Sequence, residues 1–192
     1  MSNQLDWLHG CDLPVLDQED HPELWTKRYL SQMKEMFHDQ KAVEEILKTE
    51  DPVIYEFQEL KIPEQEGDIA FGISRVFPGK IGSEYYMTKG HFHTIIETAE
   101  VYLGLEGQGI LLTENKDGDC RPLELSPMKA AYCAKGYAHR SINTGTTPLT
   151  TFYAFRADAG HNYGTIETLG FRNIVTEQNG APKIITNDHW AK

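Results

Sequence analysis

Apolar and polar positions along this chain follow two rhythms, and the change between them falls at Asp51-Pro52. From Val53 onward, short runs rich in β-branched, aromatic and aliphatic residues are separated by Gly, Pro, Asn and Asp. The candidate strands are Val53 to Leu60, Ile69 to Phe77, Glu84 to Thr88, His91 to Ile95, Ala99 to Leu105, Gly109 to Glu114, Cys120 to Leu125, Ala130 to Cys133, Ala138 to Asn143 and Leu149 to Arg156. Many short strands at near-regular spacing predict a sandwich or barrel and not a parallel α/β sheet. Before Asp51, Leu24, Tyr29, Leu30, Met33, Met36, Phe37, Val43, Ile46 and Leu47 recur at roughly helical spacing between charges. That spacing predicts one or two short helices across Glu23 to Leu47, broken near His38-Asp39-Gln40, with an apolar stripe packed on a sheet. Residues 1–50 are therefore expected as a helical extension on a barrel spanning 51–192, in one domain overall.

Two turns stand out. Glu114 to Asp119 reads as a hairpin turn, with Gly118 free to take positive φ. Asn179-Gly180, between Asn173 to Glu177 and Pro182 to Thr186, is the strongest hairpin signal and predicts a C-terminal β-ribbon.

Composition narrows the function. At 192 residues, with 40% hydrophobic content, one domain with a sizeable core is expected. No apolar run is long enough for a membrane span, and Met1 to Asp12 lack the basic start and apolar stretch of a signal peptide, so a cytoplasmic protein with no membrane partner is expected. Cys11, Cys120 and Cys133 form an odd set without CxxC spacing and read as free thiols. A formal charge of -11 with no basic cluster disfavours nucleic acid. An anionic small substrate would need a local positive feature.

The segment Thr88 to His93 supplies candidate chemistry. Successive strand side chains alternate between faces, so His91 and His93 project together and can share one metal ion. With His139 and a carboxylate they make three imidazoles and one oxygen donor, a set suited to Fe, Mn, Ni, Co or Zn with positions left open. Glu97 and Glu100 compete for the carboxylate place. Glu100 is preferred because it begins a strand and would share its face with Tyr102, whereas Glu97 sits in a polar connector. His9, His21, His38 and His189 read as hydrogen-bonded or surface residues.

His91-Phe92-His93, Glu100 and Gly107, followed by Gly136, His139 and Asn143, resemble the two motifs of the cupin superfamily. Tyr85, Met128 and Ala134 stand where those motifs carry glycine, glycine and proline, and the gap from His93 to Glu100 is longer than usual. The resemblance implies an all-β cupin jelly-roll barrel, here with short N-terminal helices, and a metal inside it. Thr88-Lys-Gly-His-Phe-His93, Ala99-Glu-Val-Tyr102 and Asp158-Ala-Gly-His-Asn-Tyr-Gly-Thr165 resemble, more narrowly, the cupin-type glucose-6-phosphate isomerases of archaea and some bacteria.

That family resemblance implies an aldose–ketose isomerase acting on a small sugar phosphate, usually as a homodimer. It implies one divalent metal per subunit, iron first, on His91, His93, Glu100 and His139. It carries over Tyr55, Ser74, Thr88, Gly90, His161 and Tyr163 as substrate contacts, with Tyr102 beside them. Glu100 and His161 are the catalytic candidates. Ser74 stands where the family has threonine and Phe155 where a tyrosine is expected; Arg156 or Lys89 could stand in for the lost donor. A metal-dependent cupin dioxygenase, a non-catalytic sugar-phosphate-binding cupin and a metal-free epimerase with a His–Tyr pair are the rival readings.

Overall fold

A computed structural model gives the fold and describes residues 25–60 and 62–190. His9, Cys11, His21, Glu23 and Leu24, named above, lie outside the described residues. In chain order the strands are β1 (Thr26–Tyr29), β2 (Val53–Glu59), β3 (Ile69–Val76), β4 (Lys80–Ile81), β5 (Glu84–Tyr85), β6 (Phe92–His93), β7 (Glu100–Glu106) and β8 (Gly109–Asn115). They continue as β9 (Cys120–Leu125), β10 (Ala130–Cys133), β11 (Tyr137–Asn143), β12 (Leu149–Arg156), β13 (His161–Asn162), β14 (Asn173–Gln178) and β15 (Ala181–Thr186). Two short helices, α1 (Gln40–Leu47) and α2 (Ile166–Leu169), complete the set.

One layer is a six-stranded sheet in the order β1-β2-β3-β12-β7-β10, and the pairs are antiparallel. The other is built from β11-β8-β9 and β15-β14-β5-β4, connected where Met87 bridges Ile142. This is the jelly roll expected of the sequence. Ile54, Val76 and Leu149 from the first layer and Leu111, Ile142 and Val175 from the second are buried in one core. Each contributes about 1.5–3 kcal/mol by leaving water.

The N-terminal segment differs from its expectation at one point. Thr26–Tyr29 is a strand paired with β2, Arg28 lying opposite Tyr55, and not the start of a helix. The open edge of β2 offers unpaired backbone groups that four residues of weak helical signal cannot outweigh. Beyond it come 3-10 turns at Leu30–Gln32 and Lys34–Met36, then α1, whose first turn Asp39 caps by accepting from the Ala42 N–H at 3.0 Å. Leu30, Met33, Met36, Phe37 and Val43 are buried against the barrel. At the other end Asn179 (φ 55°) and Gly180 (φ 78°) both take left-handed backbone, the requirement of a two-residue turn between β14 and β15.

Two buried ionisable side chains, Glu84 and Arg140, mark the seam between N-terminal segment and barrel. Glu84 accepts the His38 N–H at 2.8 Å. The Arg140 guanidinium donates to the Lys89 carbonyl at 2.6 Å and lies 4.3 Å over the Phe171 ring. Burial lifts the Glu84 carboxyl from 4.5 to about 7, against the opposing pull of the His38 N–H and the Arg140 charge. The folded chain then holds this proton more tightly than the unfolded chain does. The contribution of Glu84 to stability is greatest at acid pH and falls as pH rises through the window from 4.5 to about 7. Urea unfolding of chelator-treated protein should lose roughly 2–3 kcal/mol from this group between about pH 5 and pH 8. Glu84→Gln keeps an acceptor for His38 and should flatten that slope; an unchanged slope would refute the assignment.

Candidate metal centre and substrate cavity

The stretch Thr88 to His93 runs beside β11 and so fixes the site. Its Thr88 N–H donates to the Ser141 carbonyl at 2.9 Å, while His91 and His139 exchange backbone hydrogen bonds at 3.3 and 3.2 Å. On the other side His93 pairs with His161 and Phe92 with Asn162 through β13. Gly90, at φ 72°, permits this: a Cβ there would sit 2.9 Å from Arg140 Cβ and 3.0 Å from the His139 carbonyl.

Glu100 enters from the opposite layer. On β7 it lies level with Cys133 of β10 and Phe155 of β12, and two residues on, Tyr102 lies level with Ala131 and Tyr153. Period-two geometry puts Glu100 and Tyr102 on the inward face, while Val101 and Tyr132, opposite one another, are exposed. Donor atoms of His91, His93, Glu100 and His139 all lie within 4.8 Å of one another. Glu97 instead is exposed and pairs with Lys135.

The cluster gathers one carboxylate and three imidazoles. Glu100 Oε2 stands 3.0 Å from His139 Nε2 and 3.2 Å from His93 Nε2. Yet that oxygen and the Nε2 atoms of His91, His93 and His139 are buried with no hydrogen-bond partner. Burial alone would raise the Glu100 carboxyl, but the His139 charge and the neighbouring imidazoles outweigh it and hold it well below the usual carboxylate range. On His139 burial pulls downward and is overcome by Glu100 and Cys133, which raise it to about 10; on His91 burial and the facing His139 push it well down. A divalent ion would supply positive charge and satisfy four orphaned atoms at once, so the donor set fits a metal.

Outer contacts aim the rings. His93 Nδ1 lies 3.4 Å from the Gly160 carbonyl and His139 Nδ1 lies 3.3 Å from Cys133 Sγ, which leaves both Nε2 atoms turned to the centre. Cys133 is a free thiol, as is Cys120; Cys11 lies outside the described residues. Cys133 escaped sequence reasoning because its place beside Glu100 depends on the β7–β10 register.

A cavity of about 300 Å³ opens onto this cluster. Tyr55, Ser74, Thr88, Gly90, Tyr102, His161 and Tyr163 all line it. Thr88 Oγ1 accepts the Ser141 N–H at 3.0 Å, which leaves its own proton to donate. Ser74 Oγ is buried without a partner. Lys89 also lines the cavity, its Nζ 5.8 Å over the Tyr163 ring and 3.7 Å from Glu167. Arg156 does not; it forms a two-point pair with Asp158 at 2.5 and 2.6 Å. Phe155 packs between the His93 and His161 rings as an apolar wall.

Glu59 and Tyr153 are lining residues that sequence reasoning missed. Tyr153 donates to Glu59 at 3.2 Å, across the position of Gly72, where a Cβ would sit 2.7 Å from the Tyr153 hydroxyl. Only the alternation of Thr151, Tyr153 and Phe155 on β12 hints at their inward direction. Burial lifts the Tyr55 hydroxyl to about 12 and Tyr102 well above 10, so both stay protonated donors, and burial holds His161 below 6.5 as a neutral imidazole.

A family model described as glucose-6-phosphate isomerase matches residues 27–191. The chain belongs to the glucose-6-phosphate isomerase family. Glucose-6-phosphate isomerase of Pyrococcus abyssi is 42% identical over 163 residues, covering 85% of this chain and 86% of that protein. Its counterpart in Pyrococcus furiosus is 41% identical over 165 residues, with 86% and 87% covered. A putative glucose-6-phosphate isomerase 1 of Rhizobium meliloti is 32% identical over 186 residues, with 94% and 86% covered. The family match spans every candidate donor and lining residue named above.

If the cluster holds a cation, chelator-stripped protein should gain thermal stability when Mn²⁺ is added. At about 100 times Kd the gain is roughly 2.7 kcal/mol. Glu100→Ala should shrink the shift in Tm. An identical shift in that variant would place the ion elsewhere.

Proposed function

We propose that this chain interconverts glucose 6-phosphate and fructose 6-phosphate, with one divalent metal per subunit held by His91, His93, Glu100 and His139. The observation that carries the reading is one cavity lined by His91, Glu100 and His139 of that donor cluster, by the hydroxyls of Ser74 and Thr88, and by the Lys89 cation. Iron is the first choice, and Mn, Ni, Co and Zn suit the same donors. A metal held there would supply Lewis-acid polarisation of the sugar's carbonyl oxygen.

The chain's own residues do the rest. Lys89, Thr88, Ser74, Tyr55, Tyr163 and the Gly90 backbone grip the phosphate and hold the open-chain sugar in place, as positioned donors do for an anion. Neutral His161 can take the proton of the anomeric hydroxyl and hand it to the ring oxygen as the C1–O5 bond breaks, which opens the ring. Glu100, ionised at neutral pH, takes the proton from C2 of the aldose and returns it at C1. Tyr102, which stays protonated, donates to the developing enediolate oxygen. Phe155 and Tyr153 wall the cavity and keep water from the intermediate. Lacking the tyrosine hydroxyl at Phe155, the phosphate leans on Lys89.

Among the described residues no helix is long and apolar enough to cross a membrane. We place the protein in the cytoplasm as a homodimer, with the exposed Val101 and Tyr132 face of β7 and β10 as the surface available to a second subunit.

In a coupled assay, chelated protein should be inactive on fructose 6-phosphate and regain turnover when one of the five metals is restored, with or without oxygen. Silence with all five would defeat the proposal. Lys89→Met should raise KM about 10- to 100-fold, the loss of one charge-assisted hydrogen bond, while kcat changes much less. A fall in kcat at constant KM would move Lys89 from phosphate grip to chemistry.

A further inference from the structure

The turn at Asp188–Trp190 folds back onto the segment ahead of α1. Three side chains meet there. His38 Nδ1 lies 3.4 Å from Asp188 Oδ1, the rings of His38 and His189 have centroids 4.9 Å apart at 36°, and one donor atom from each residue lies within 4.8 Å of the others. His38 Nδ1 is buried with no hydrogen-bond partner. We propose that His38, Asp188 and His189 form a second divalent-metal site, of zinc class, separate from the four-donor cluster in the barrel.

Donor chemistry supports zinc. Two imidazoles and one carboxylate are a recurrent three-ligand set for that ion, and the exposure of Asp188 beside half-buried His38 and His189 leaves room for water in the fourth position. Both halves of the site are held before any ion arrives. Asn187, 2% exposed, donates to the Leu169 and Phe171 carbonyls at 2.9 and 2.8 Å and accepts the His189 N–H at 3.1 Å. Trp190 Nε1 donates to the Gly170 carbonyl at 3.2 Å. Across the gap, the His38 N–H is fixed by buried Glu84 and the next residue, Asp39, caps α1. Ligands supported in this way need little reorganisation to bind.

The ion would tie together residues 150 positions apart in the chain, fastening the N-terminal segment to the C-terminal turn. A clip across so long a loop acts on stability and not on the reaction. A simple imidazolium–carboxylate pair would hold the same side chains without any ion, and metal counting separates the two.

The test is a titration of untagged, chelator-stripped full chain with Zn²⁺, counting equivalents bound. Wild type should take up one equivalent more than either Asp188→Asn or His189→Ala, in which affinity at this site falls at least ~10-fold. Both variants should retain isomerase turnover. Equal numbers of equivalents in wild type and both variants would overturn the proposal. That result would leave the isomerase reading untouched, because neither residue lines the cavity.

Discussion

Glu100 is the constraint on which the rest of the structure depends. A carboxylate 3% exposed inside an aromatic and aliphatic barrel is costly unless partners meet it, and the His93 and His139 imidazoles stand 3.2 and 3.0 Å from its oxygen. Two layers must therefore stand at the separation that puts β7 opposite β6 and β11. The seam residues serve that end. Gly90 lets the Thr88 to His93 stretch close on β11, Arg140 ties it to Phe171, and the buried apolar residues ahead of α1 cover the barrel beside them. Folding and site assembly are thus the same event seen from two sides.

Much of this was legible in the sequence because strands have a short period. HxH on a strand means a shared face, and Glu100 ahead of Tyr102 means an inward pair; both follow from alternation alone. Asn179-Gly180 announced its hairpin through backbone preference, another local property. What local patterns cannot supply is register. Cys133 beside Glu100, Tyr153 reaching Glu59 across Gly72, and Thr26–Tyr29 as an edge strand all require knowing which strand pairs with which, and at what offset. His38 and His189 read as ordinary residues for the same reason, since their meeting is a property of the folded chain only.

Departures from the two-motif pattern turn out to be mechanically mild. Met128 stands where glycine was expected and adopts φ 65° regardless, at a strain of roughly 1–2 kcal/mol, with its side chain 83% exposed and so free of any packing cost. Tyr85 in place of glycine is buried, in the strand that carries Glu84, and packs into the core instead of turning the chain. Neither residue is one of the four clustered donors, so these departures leave the donor cluster intact.

Net charge poses the remaining physical question: an acidic chain at -11 has to hold a dianionic phosphate. The overall field repels such a ligand, but that field is screened beyond about 8 Å at physiological salt, whereas contacts inside a half-dry cavity are screened far less. Lys89, with a side chain only 18% exposed, and the hydroxyls of Ser74 and Thr88 line that cavity and stand within the unscreened range. Long-range repulsion then slows encounter without weakening grip, and raising salt relieves the first faster than it erodes the second. Affinity in this fold is accordingly a property of a few desolvated groups and their positions, not of the sign of the surface.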